Sequence, residues 1–275
     1  MPPSLASVPA AGEMSHLAIS LLGAGRVALD GQPLASPQTR KTFALLAYLA
    51  VESGHPHRRE ALGALFWPNF PDKRACSNLR QSLYRMRHAL AGSAGDSLHL
   101  LTSAHEVEFN AASDYWVDAV DFVSLISACR AHHAEVLPLC PDCLGKLEAA
   151  VDLYRGEFLA GFSLPGCLQF QWWQVVKQEI YHGQAIEALA LLAKHYDRCG
   201  DYARLSRWAH REIELEPWCE SAHRSLMRAL ALSGERGQAL RQYEACQTIL
   251  AREFGMQPSP ETTRLYVRIR EGSLD

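Results

Sequence analysis

Two groups of residues in this chain carry donor atoms at spacings that a fold can use. The first is the run from Pro71 to Ala91, PDKRACSNLRQSLYRMRHALA. Leu79, Leu83, Met86 and Leu90 recur at helical spacing and form an apolar seam, while Arg74, Ser77, Asn78, Gln81, Tyr84, Arg85 and His88 take the remaining arc. Arginine and amide side chains can bond base edges in a major groove, and hydroxyls and arginines can hold phosphates. Taken alone, the run also reads as the solvated face of an ordinary helix. The second group is Cys129-x-x-His132, seven residues, then Cys140-Pro141-Asp142-Cys143. Cys129 and His132 fall one turn apart on one side of a helix, and Cys140-x-x-Cys143 is a knuckle that lets two thiolates approach one ion. His133 competes with His132, since i+4 serves as well as i+3 on a helix. Four soft donors within fifteen residues predict a closed tetrahedral zinc site, structural rather than catalytic because no coordination position is left open. The competing readings are that Cys129 continues the apolar stripe of Phe122, Leu125 and Ile126, or that Cys140 and Cys143 form a thiol redox switch.

The elements around the first group set its role. From His16 to Leu34 the chain alternates and breaks at Gly23, Gly25 and Asp30-Gly31, which predicts short antiparallel strands. Thr42 to Val51 and Arg58 to Phe66 predict two short helices before the Pro71 to Ala91 helix, the second ended by Pro68. After the loop GSAGDS, Leu98 to Thr102 and Glu106 to Asn110 predict a hairpin turning near Ser103-Ala104-His105. Sheet, three helices and hairpin is the order of a winged helix. From about residue 115 the chain becomes helical, with helices expected at Phe122 to His133, Leu144 to Phe162 and, as one or two, Leu168 to Asp197. Gly200-Asp201 and Gly234-Glu235 then open two helical pairs at a spacing of 34 residues, the tetratricopeptide period. The expected class is mainly α: a winged helix-turn-helix over 16–112, then an all-α tetratricopeptide-like repeat over 115–275, with 1–15 as a disordered tail.

Composition restricts the function further. The net charge of −3 hides an asymmetry: residues 38–92 carry nine Lys/Arg against three Asp/Glu (+6), leaving 18 against 27 (−9) elsewhere. A cationic segment on an anionic body fits a nucleic-acid face joined to a part with another task. The first sixteen residues lack the basic and apolar regions of a signal peptide, and no apolar run reaches the roughly 18–20 residues that cross a bilayer, so a cytoplasmic protein is expected. Eight cysteines dispersed over 275 residues read as reduced thiols. Gly23-Ala24-Gly25 lacks the third glycine and the following helix of a phosphate loop, and neither a Walker loop nor a His-Glu-x-x-His motif occurs. The expectation is therefore no enzyme. Phe170, Trp172, Trp173 and Tyr181 are expected to pack into a helical core.

Three motif sets then carry a resemblance. Phe43 to Ala50 (FALLAYLA), Arg58-Arg59-Glu60-Ala61-Leu62 with Leu65-Phe66-Trp67-Pro68, and Asn78 to Arg87 (NLRQSLYRMR) resemble the OmpR-type winged helix of the antibiotic-regulatory-protein (SARP) activators. The later helices, closing on Glu253 to Thr262 (EFGMQPSPET) and running into Leu265-Tyr266, resemble the bacterial transcriptional activator domain that accompanies it. The resemblance implies a transcriptional activator that binds repeated sites on double-stranded DNA as a homodimer, near the nucleoid, and contacts RNA polymerase. It places DNA contacts on Ser77, Asn78, Gln81, Tyr84, Arg85 and Arg87, with Thr102, Ser103 and His105 on the wing. Lys73, Arg74 and Arg80 flank these as phosphate neutralisers, whereas Asn78 and Gln81 are suited to base edges. Ser77, Gln81 and Tyr84 depart from the arginines and threonines seen in the family, so the operator does not carry over. Gly25 stands where the family's hairpin has an aromatic. A different reading of the same chain is an interaction module whose winged helix docks protein, or the regulatory front of a larger sensor.

Overall fold

The computed structural model describes residues 16–34, 39–91, 99–132 and 139–274. The expected tail 1–15, the GSAGDS loop, Leu98 and His133 lie outside the described residues. The packing divides the chain into two compact units: Met1–Asp121 with Arg155–Glu179, and Phe122–Tyr154 with Ile180–Asp275. That division differs from the linear one expected near residue 115, because a later segment folds back into the first unit.

In the first unit, β1 (Leu17–Ser20), β2 (Arg26–Leu29) and β3 (Gln32–Pro33) form an antiparallel meander, as the turn residues predict. β7 (Tyr115–Val117), which the alternation did not reveal, pairs parallel with β1 and completes the order β3-β2-β1-β7. Beyond β7, the carboxylate of Asp118 is fully buried and accepts the N–H groups of Leu21 and Leu22 at 2.6 and 3.1 Å, with the Arg155 guanidinium at 2.7 Å. Burial pushes its pKa up despite these partners.

Three helices follow the meander: α1 (Arg40–Val51), α2 (Arg59–Phe66) and α3 (Asp72–Leu90). The Thr39 hydroxyl caps α1 by accepting the Thr42 N–H at 3.2 Å. Helix α2 ends where the Trp67 N–H bonds the Gly63 carbonyl at 2.8 Å, just before Pro68 removes a donor. Gly63 of α2 faces Ala75 of α3, where a Cβ would meet the Ala75 methyl in ordinary contact at 3.5 Å. The hairpin of β5 (Leu100–Thr102) and β6 (Glu106–Phe109) pairs with β4 (His57–Arg58) in the order β4-β6-β5. Helix-turn-helix plus hairpin is the expected winged helix.

The segment 154–167 departs from the expected Leu144 to Phe162 helix. Helix α5 (Pro141–Leu153) stops at Leu153, and the chain then lies against the meander. Gly23 N–H donates to Glu157 O, Leu159 N–H to Leu21 O and Ala160 N–H to Gly23 O, at 2.7 to 3.0 Å. Gly156 and Gly161 would each cost a continuous helix about 1 kcal/mol, so the extended alternative needs little to prevail. The start of α6 (Leu168–Cys199) then packs in the same unit. Trp173 contacts Tyr48, Phe158 and Phe170 at ring distances of 5.0, 5.5 and 5.3 Å, and its indole N–H donates to Glu52 at 2.7 Å. Trp172 does not share this core as expected; it is 69 % exposed. Adjacent helical residues project about 100° apart, so two consecutive tryptophans cannot both face one core. At Gly25, a Cβ would lie inside the van der Waals surface of the Phe43 ring, which occupies the space an aromatic at that position would need.

The second unit holds most of α4 (Asp118–His132), α5, the end of α6, α7 (Tyr202–Leu215), α8 (Glu220–Leu232), α9 (Arg236–Phe254) and α10 (Pro260–Glu271). The 34-residue period appears as a repeated bond pattern. Asp201 N–H bonds Tyr196 O and Gly200 N–H bonds Asp197 O; Glu235 N–H bonds Leu230 O and Gly234 N–H bonds Ala231 O. Gly200 and Gly234 close these turns at φ of 71° and 85°, a conformation that favours glycine. Met227, Ala239, Leu265 and Ile269 form a core shared by the last three helices, with Tyr243 stacked on Tyr266 at 4.2 Å.

Candidate nucleic-acid interface and metal cluster

Helix α3 carries its polar face by elimination. Ala75, Leu79, Ser82, Leu83, Met86 and Leu90 are buried, so the opposite arc must be polar. Ser82, absent from the expected seam, is only 6 % exposed. Arg74, Ser77, Gln81, Tyr84 and His88 are exposed along the centre of the arc, and Asn78 and Arg85 are half-buried at one edge. Lys73, Arg80 and Arg87 are exposed along the other edge, seven residues apart and hence about 10 Å along the axis per step. Among the described residues, none of these cations forms a salt bridge; Arg74 lies over the Phe70 ring at 5.1 Å. The side chains of Ser77, Asn78, Gln81 and Tyr84 likewise form no hydrogen bond with another described residue, and Tyr84 is 69 % exposed. A helix with unpaired cations on one edge and unspent amides and hydroxyls at the centre can neutralise phosphates while presenting donors to base edges.

The wing residues are held more tightly. The Ser103 hydroxyl accepts the N–H groups of His105 and Glu106 at 3.2 and 3.0 Å, so its acceptor capacity serves the turn. Arg59 spans to the same turn, donating its N–H to His105 O at 2.9 Å and its Nε–H to Ser103 O at 3.0 Å. Thr102 is half-buried, and His105 presents an exposed side chain.

The second cluster lies in the other unit. His132 ends α4, while Cys140 caps α5, its sulfur accepting the Cys143 N–H at 3.4 Å, with Pro141 in the first helical turn. His132 Nδ1 stands 3.6 Å from Cys140 Sγ and 3.4 Å from Cys143 Sγ, and the three ligand atoms lie within 4.8 Å of one another. Cys129 is not in that close group. Its thiol neighbours that of Cys143, and its buried side chain continues the stripe of Phe122 and Ile126. The Cys143 N–H lowers the Cys140 pKa. Burial, followed by the neighbouring Cys140 and Cys129 thiols, pushes Cys143 up to about 12 in the metal-free chain.

No helix among the described residues is long and apolar enough to cross a membrane. A family model described as "Bacterial transcriptional activator domain" matches residues 117–270. The chain is similar to the transcriptional regulatory protein EmbR of Mycobacterium tuberculosis, at 25 % identity over 94 % of this chain and 65 % of EmbR. It is also similar to the regulatory protein AfsR of Streptomyces coelicolor, at 29 % identity over 94 % of this chain and 24 % of AfsR. It thus spans about two-thirds or less of the length of these curated relatives. A solved structure of M. tuberculosis EmbR in complex with a low-affinity phosphopeptide shares the fold, with a TM-score of 0.65 at 23 % identity over 94 % of this chain and 66 % of that one.

Proposed function

The chain belongs to the bacterial transcriptional activator domain family, of the SARP type, whose members are regulators and not enzymes, and from that premise we propose that it is a sequence-specific DNA-binding regulator of transcription. The observation that carries this reading is the face of α3, where Lys73, Arg80 and Arg87 stand unpaired beside an unspent Ser77, Gln81 and Tyr84. A row of cations without counter-charges among the described residues is one that a phosphate backbone can neutralise. In this reading the cations set register, Gln81 and Asn78 read base edges, and the wing of β5 and β6 lies on the adjoining backbone. The chain acts in the cytoplasm, at the nucleoid. A homodimer occupies repeated sites, with the exposed Leu168, Trp172, Val175 and Val176 of α6 as its contact, and the helical repeat engages RNA polymerase.

The test is selection from a randomised duplex library with the purified chain at two salt concentrations. Enrichment of a direct or inverted repeat, with affinity falling steeply as salt rises, is the expected result. Binding without enrichment removes the sequence-specific part of the proposal. Absence of both enrichment and salt response overturns it and leaves a protein partner of the helical repeat as the function to pursue.

A further inference from the structure

We propose that His132, Cys140 and Cys143, closed by Cys129, bind one zinc ion that joins the last turn of α4 to the first turn of α5. The inference is independent of the DNA-binding reading, since its residues lie in the other unit and none belongs to α3.

The geometry favours a metal over a chance cluster. With Zn–S near 2.3 Å and Zn–N near 2.0 Å, a tetrahedral angle places sulfur and nitrogen about 3.5 Å apart. His132 Nδ1 is 3.6 and 3.4 Å from the two sulfurs, so one ion fits between them with the backbone as it stands. A thiol–imidazole hydrogen bond accounts for either contact singly; the convergence of two sulfurs from α5 and one imidazole nitrogen from α4 on a single point is the arrangement a soft metal ion would use. The N–H of Cys143 directed at the Cys140 sulfur also matches the demands of a thiolate ligand, which needs donors for its remaining lone pairs.

Cys129 supplies the fourth donor. Its buried thiol neighbours that of Cys143 and lies one helical turn before His132 on α4, the position from which a rotamer change would bring it to the common centre. Three thiolates and one imidazole select zinc over hard cations such as magnesium or calcium, which take oxygen ligands. Four protein ligands leave no position for water or substrate, so the ion is structural.

The experiment uses the untagged full chain, purified under reducing conditions from zinc-supplemented medium, with metal measured by mass spectrometry. About one zinc per chain is expected. Cys140→Ser and His132→Ala, which change half-buried and exposed side chains, should lose the metal while circular dichroism reports retained helix. Cys199→Ser, at an exposed cysteine outside the cluster, should keep it. Cobalt(II) added to reduced, metal-free protein should give thiolate charge-transfer absorption and the intense d–d bands of a tetrahedral ion. Cys129→Ser should weaken cobalt binding by at least the roughly 10–100-fold that loss of an outer-shell partner costs. A parent without zinc and without cobalt bands overturns the site. Undiminished zinc in Cys140→Ser overturns it as well, and unchanged affinity in Cys129→Ser removes Cys129 as a ligand.

Discussion

On the exposed face of α3, two kinds of donor sit side by side, and their loss reads out in different quantities. Arg87 belongs to the cationic edge with Lys73 and Arg80, so Arg87→Ala should weaken binding to all duplexes alike. It should also reduce the slope of log affinity against log salt by about 1. Gln81 lies at the centre of the arc, where a bidentate amide contact with an adenine edge is worth roughly 1–3 kcal/mol of discrimination. Gln81→Ala should therefore relax preference at one base position and leave the salt slope unchanged. A titration series over several salt concentrations on specific and scrambled duplexes separates the two. If Arg87→Ala keeps the parental slope, that edge of α3 does not touch phosphates. Gly25 makes a contrasting demand, since its lack of a side chain is what admits the Phe43 ring. Gly25→Ala forces that ring to move and should cost about 1–3 kcal/mol in denaturant unfolding, the usual range for overpacking.

Among the helical elements, the capping of α10 depends on one carboxylate. Glu220, in the first turn of α8, accepts the Ser259 N–H at 2.9 Å, the Ser259 hydroxyl at 2.7 Å and the Thr262 hydroxyl at 2.5 Å. Burial pushes the Glu220 pKa up, but the hydrogen bonds from Thr262 and Ser259 together outweigh it and hold the carboxyl below its ordinary value. A depressed carboxylate contributes stability above its unfolded pKa, and that contribution is lost as pH falls through the folded value. Glu220→Gln should thus destabilise the chain by about 1–3 kcal/mol at neutral pH, and the difference should shrink in acid below about pH 4. Urea unfolding at both pH values decides it; a difference independent of pH would mean that shape rather than charge carries the cap. The closing motif carried a resemblance; in the structure its Gly255, Ser259 and Pro260 are a left-handed C-cap, an N-cap hydroxyl and a first-turn proline. Most helices followed from apolar periodicity and Gly/Pro breaks. Strand β7 was not legible, because three residues are too few for an alternation and the pairing with β1 is decided by tertiary register. Residues 154–162 read as the end of a helix because their apolar positions continue the spacing from Leu144, while the backbone partners that draw them out lie at 21–23, far away in sequence. The approach of His132, Cys140 and Cys143 to one another was legible in their spacing; the looser placement of Cys129 depends on a side-chain direction that spacing does not encode.

At the scale of the whole molecule, the charge split and one uncovered surface point to assembly. Leu168, Trp172, Val175 and Val176 recur at i, i+4, i+7 and i+8 along the part of α6 in the first unit, and each is between 46 % and 69 % exposed. Single exposed apolar residues are common, but a contiguous row at helical spacing marks an interaction surface. A second copy of the chain is the occupant that serves the proposed function, since two half-sites require two recognition helices, related by a two-fold axis on an inverted repeat and by translation on a direct one. The anionic remainder of the chain would oppose a face-to-face pairing of charged surfaces, which leaves the apolar row as the favourable contact. Trp172→Glu places a charge in the centre of that row without touching the Trp173 core. Sedimentation of the parent should show a dimer that dissociates on dilution, whereas Trp172→Glu should sediment as a monomer with an unchanged circular dichroism spectrum. On DNA the variant should bind single half-sites normally but lose the steep, cooperative occupation of a repeat. A variant that still dimerises and binds repeats cooperatively would move the interface off α6.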